Sequence, residues 1–108
     1  MQMLVQVVCT KGPSLREAIG NDRRLEKFGL TLTAHHRPGR PHGWAKVHSI
    51  RDDRHGAINI EWDANTNILL CRVVTRGSGR PNLIIGDFVD YLLRRFPRRI
   101  SAINIIPR

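Results

Sequence analysis

Cysteine, acidic residues and long apolar runs are all scarce in this chain, and each shortage excludes something. The two cysteines, Cys9 and Cys71, form neither a CxxC pair nor a zinc-ligand spacing. A disulfide-stapled scaffold is thereby excluded, and buried free thiols in a reducing compartment are expected. No apolar run approaches the roughly 18 residues of a membrane span. The opening Met1-Gln-Met-Leu4 carries no basic region and no small-residue cleavage site, which predicts a non-secreted, cytoplasmic protein with no membrane partner. No Walker loop and no GxGxxG fingerprint is present, so no nucleotide cofactor is expected.

Lys and Arg total 18 against 9 Asp and Glu, giving a net charge of +9, and 15 of the 18 cations are arginine. Such an excess points to a polyanionic partner, and arginine is the better fork for phosphate. Residues 63–108 carry +5 of the +9. At 108 residues and 41% hydrophobic, the chain is expected to form one domain, residues 1–108, with a single core.

The most legible stretch runs from Arg72 to Arg108. Ile85, Phe88, Val89, Leu92, Leu93 and Phe96 recur at helical spacing, which predicts a helix over about residues 82–96 with that stripe buried. Pro97 blocks its continuation, and Gly86 permits a later start at Asp87. Arg94, Arg95, Arg98 and Arg99 gather where the helix ends, and Asp90 is spaced to occupy Arg94. Upstream, Arg76-Gly-Ser-Gly-Arg80 feeds the helix N-terminus, where glycine amides and two guanidinium groups can cradle a phosphate.

Met3 to Cys9 is apolar on both alternating faces except Gln6, the pattern of an interior strand. Ser14-Leu-Arg-Glu17 is a capping box, predicting one kinked helix or two short ones over residues 14–28. Leu30–His36, Trp44–Ile50, Ala57–Trp62 and Ile68–Thr75 alternate in strand fashion between short polar links, which predicts a four-strand antiparallel meander. A last strand covers Ile100 to Ile106. The fold class expected is α+β: a mostly antiparallel sheet of about six strands with two helices packed on one face, in the order β-α-β-β-β-β-α-β.

Arg37-Pro-Gly-Arg-Pro41 resembles the core of an AT-hook, which implies arginines inserted in a narrow minor groove; Pro38 departs from that pattern, and histidines flank it. His35 and His36 point to opposite faces of a strand and do not share an ion, and no acid or cysteine completes a zinc set with His42, His48 or His55. Trp62 shares a face with Ile58 and Ile60, as a core residue does, whereas Trp44 shares one with Lys46 and His48 and is the better base-stacking candidate.

The leading expectation is a small basic nucleic-acid-binding domain contacting phosphates through Arg37, Arg40, Arg76, Arg80, Arg95, Arg98 and Arg99, with Trp44 stacking on bases. No catalytic residue, metal or cofactor is assigned, and DNA and RNA are not distinguished. One alternative is a protein-interaction or homo-oligomeric domain, with an acidic partner or a homodimer formed at a strand edge. Another is a small toxin-like ribonuclease using His48 or His55 beside Arg51 and Arg54.

Overall fold

Alternation of apolar and polar residues is realised as six strands: β1 (Gln2–Cys9), β2 (Leu30–Ala34), β3 (Trp44–Ser49), β4 (Gly56–Asp63), β5 (Ile68–Thr75) and β6 (Ile100–Pro107). The computed structural model describes residues 2–34, 38–41, 43–51, 54–77 and 79–107. All six strands lie in one sheet, ordered β2-β3-β4-β5-β1-β6, and every neighbouring pair is antiparallel. The chain therefore runs as the expected meander from β2 to β5, and β1 then slots between β5 and the C-terminal strand.

One face of the sheet is the core. Val5, Val7, Ala45, Val47, Ile58, Ile60, Leu69, Cys71 and Val73 point into it and are buried. Two helices cover them: α1 (Leu15–Gly20) brings Leu15 and Ile19, and α2 (Pro81–Arg95) brings Ile84, Ile85, Phe88, Tyr91 and Leu92. Each such side chain taken fully from water contributes about 1.5–3 kcal/mol. Ser14 caps α1, its Oγ accepting from the Glu17 amide at 3.2 Å. The expected second short element is a 3-10 turn, Leu25–Phe28, ended by Gly29 in the left-handed region at φ 80°.

The buried stripe of α2 is rotated from the one that apolar spacing predicts. Tyr91 is fully buried while Leu93 is 49% exposed. Edge-to-face contacts with Phe28 (centroids 5.3 Å apart) and Phe96 (5.8 Å) grip the Tyr91 ring, and its hydroxyl donates to Asp22 at 2.8 Å. Hydropathy alone undervalues a tyrosine whose polar tip has found an acceptor. Both helices pack against the inner part of the sheet, so edge strand β6 is thinly covered and Ile105 remains 47% exposed. Among the described residues, no helix is long and apolar enough to cross a membrane.

Candidate nucleic-acid interface

Among the described residues, no helix covers the second face of the sheet, and strand register sets its side chains in rows. Lys46 pairs with Asn59, Asn59 with Arg72, Arg72 with Leu4, and Leu4 with Ile106, so one row crosses five strands. A second row reads Trp44, Glu61, Leu70, Gln6 and Asn104; a third reads His48, Ala57, Val74 and Gln2. Neighbouring strands lie about 4.8 Å apart, which puts the Lys46 and Arg72 backbones roughly 10 Å from each other.

Two shallow grooves cross this face. Arg40, Asn59, Glu61, Leu70, Arg72, Leu4 and Gln6 line the first. Lys46, His48, His55, Ala57, Asn59, Val74 and Arg76 line the second. Asn59 belongs to both, so they form one continuous track. Its floor is low where Ala57, carrying only a methyl group, sits opposite His48.

His48 is the best-anchored titratable group on the track. Thr33 Oγ1 lies 2.7 Å from its Nδ1, and the same hydroxyl donates to the Lys46 carbonyl at 3.3 Å. Thr33 reaches there because the β2/β3 register shifts between Leu32 and Ala34, a bulge that turns the extra residue toward its neighbour. Burial first, and then the charges of Lys46 and Arg76, hold the His48 imidazole below its ordinary pKa. His55 stands at φ 51°, and its carbonyl accepts from the Arg76 amide at 2.8 Å, fixing the two residues side by side at the end of the β4/β5 ladder.

Of the residues expected from sequence to meet phosphate, Arg40 and Arg76 lie on this track. The Arg40 guanidinium stands 5.1 Å from the centroid of the Trp44 ring, and Trp44 is only 3% exposed. The indole is therefore roofed by Arg40 and offers little free face to a base. Gly39 turns at φ 82° and the Trp44 amide bonds to the Pro41 carbonyl at 3.1 Å, so the Gly39-Arg40-Pro41 part of the AT-hook-like segment is a turn against β3. Arg37, Ser78, His35, His36 and His42 lie outside the described residues.

The helix side disposes of its cations differently. Arg95 donates to Asp22 at 3.0 and 3.2 Å; Arg94 pairs with Asp90 at 3.0 Å; Arg54 meets Asp87 at 3.1 Å, with Arg51 at 3.7 Å from the same oxygen. Arg99 donates to the carbonyls of Thr10 (3.3 Å) and Pro13 (2.8 Å). Arg80 is the exposed N-cap residue of α2, and Arg98 is exposed in the 3-10 turn Pro97–Arg99. In the glycine loop, the amides of Arg76 and Gly79 are used within the protein, on the carbonyls of His55 and Arg76. Arg51 and Arg54, expected beside the histidines, turn instead to α2, and Lys46 and Arg76 occupy that position.

Sequence reasoning missed Lys46, Arg72 and Asn59 as members of one surface. Their strand faces are readable from alternation; that those faces adjoin depends on a register running from β3 to β1. Among the described residues, no three His, Cys, Asp or Glu side chains gather as a metal site. Compared with protein-family models, curated proteins and solved structures, the chain matches none of them.

Proposed function

We propose that the helix-free face of the sheet binds single-stranded nucleic acid, with Arg40, Lys46, Arg72 and Arg76 neutralising phosphates. The observation supporting this reading is the lining of the track. Among the described residues, its two grooves bring Arg40, Lys46, Arg72 and Arg76 together with one acid, Glu61, whereas on the helix side Asp22, Asp87 and Asp90 engage Arg95, Arg54 and Arg94. Asn59, Gln6 and Asn104 add amide groups able to pair with base edges. A duplex fits this surface poorly, because its major groove admits a helix or a two-stranded ribbon rather than a sheet roughly 24 Å wide. The two buried free cysteines support a cytoplasmic setting.

Fluorescence anisotropy of a short labelled single strand, titrated across salt concentrations, tests the reading. Four phosphate contacts predict a log–log salt slope near −3, and Lys46→Ala/Arg72→Ala should flatten it by about 1.4. Arg94→Ala/Arg98→Ala, on the helix side, should leave it unchanged. Absence of binding at about 50 mM salt overturns the reading.

A second reading is favoured by β6. It is an eight-residue edge strand, Ile-Ser-Ala-Ile-Asn-Ile-Ile-Pro, with no charged side chain to discourage pairing, and with Ile105 and Ile106 exposed. We infer from this that a second copy of the chain adds its own β6 there, a homodimer compatible with the open face remaining free.

A further inference from the structure

We propose that the groove formed by Lys46, His48, His55 and Arg76 cleaves single-stranded RNA, by attack of a ribose 2′-oxygen on the adjacent phosphate. The proposal rests on the nucleic-acid reading of the open face and assigns that face a substrate class and a reaction. Its first support is placement. His48 and His55 line one groove with two cations, and among the described residues no carboxylate lines that groove. His48 sits directly opposite Ala57, and His55, which precedes β4 at φ 51°, lines the same groove. The substrate phosphate would sit between these imidazoles, above the low floor at Ala57.

The second support is the Thr33 hydroxyl, whose oxygen lies 2.7 Å from His48 Nδ1 and 3.3 Å from the Lys46 carbonyl. A threonine hydroxyl has one proton. The proposal assigns it to the Lys46 carbonyl, so that the oxygen accepts from Nδ1–H and the Nε2 lone pair is left to take a proton. Among the described residues, the charged or titratable groups around this ring are Lys46 from its own strand, Arg76 just after β5 and His55 just before β4. Burial and the two cations favour the neutral ring, so His48 is ready to accept a proton at neutral pH.

The step balances without an external reactant. His48 Nε2 takes the proton of the 2′-hydroxyl, the 2′-oxygen bonds to phosphorus, and the bond from phosphorus to the 5′-oxygen breaks. His55, as imidazolium, gives its proton to the departing 5′-oxygen. The products are a 2′,3′-cyclic phosphate and a 5′-hydroxyl, and nothing is oxidised or reduced. Lys46 and Arg76 stabilise the charge that grows on the non-bridging oxygens. Thr33 is a positioning residue, acting through His48.

The full chain, incubated with a short end-labelled RNA and EDTA, should yield a cyclic-phosphate product, and the DNA of the same sequence should be bound and left intact. His48→Asn and His55→Asn should each slow cleavage by about 10²-fold or more while RNA affinity changes little. Thr33→Val should lower kcat with KM unchanged, and Thr33→Ser should restore it. In wild type, kcat/KM should rise with pH with a midpoint below the ordinary imidazole value, because burial and the neighbouring cations lower the His48 pKa. RNA that is bound with the expected salt dependence yet stays whole overturns the cleavage proposal and leaves the binding reading standing. Failure to bind any single strand removes both. Undiminished cleavage by a folded His48→Asn/His55→Asn variant also overturns the proposal.

Discussion

Asp22 lies just past the C-cap of α1, Asn21, and its carboxylate ties that turn to α2. It accepts from the Tyr91 hydroxyl at 2.8 Å, from Arg95 at 3.0 and 3.2 Å, and from the Arg24 amide at 3.0 Å. Burial alone would raise its pKa, but these donors outweigh it and hold the carboxyl below the usual range. Burial and the Asp22 hydrogen bond together push the Tyr91 phenol up. Asp22→Ala leaves a buried hydroxyl without its acceptor and should cost about 2–3 kcal/mol in urea unfolding at neutral pH. A depressed folded pKa contributes stability above the unfolded value of about 3.9, lost as pH falls through the folded value. The gap between wild type and Asp22→Ala should therefore be full at about pH 6 and shrink below about pH 4. A gap that stays constant on acidification would show that the Asp22 charge contributes nothing.

At the scale of elements, α2 shows what periodicity can and cannot reveal. Its limits were legible because Pro81 suits a first turn and Pro97 forbids a further one. Its rotation was not, since Tyr91 counts as polar until Asp22 is known to lie opposite it. Phe88→Ala and Tyr91→Ala should each cost about 3–5 kcal/mol, while Leu93→Ala should stay within about 0.5 kcal/mol. Equal losses at Phe88 and Leu93 would restore the stripe predicted from sequence. Gly86 adds a prediction of opposite sign. A Cβ built there meets nothing within 4 Å, so Gly86→Ala should stabilise the protein by about 0.5–1 kcal/mol and raise Tm by a few degrees. The strands divide in the same way. The meander from β2 to β5 was readable from turns and alternation, whereas insertion of β1 beside β5 was not, because Leu4 and Val8 make its outer face nearly as apolar as its inner one. That insertion brings Leu4 and Gln6 beside Arg72, so the extent of the candidate site was hidden along with the strand order.

For the whole molecule, the consequence of the second reading depends on symmetry. Two copies joined antiparallel along β6 share a two-fold axis perpendicular to the sheet, which would make one twelve-stranded sheet with both open faces on the same side. The exposed Ile105 side chains and the Leu93 side chains of the two α2 helices would meet across that axis on the other side, covering the apolar surface that β6 and α2 leave open. Each track proposed to contact phosphate would then continue toward its copy, so a strand long enough to cross both should bind more tightly than one that fills a single track, by the effective concentration of the second site. Light scattering over a protein concentration series should show a monomer–dimer equilibrium. Ile105→Lys, which places a charge on the edge strand outside the buried core, should shift that equilibrium to monomer while leaving the unfolding midpoint nearly unchanged at low protein concentration. The same variant should lose the advantage of the longer strand and keep wild-type affinity for the short one. A wild-type protein that remains monomeric at the highest concentrations removes the edge pairing, and equal affinity for long and short strands in a proven dimer removes the shared track.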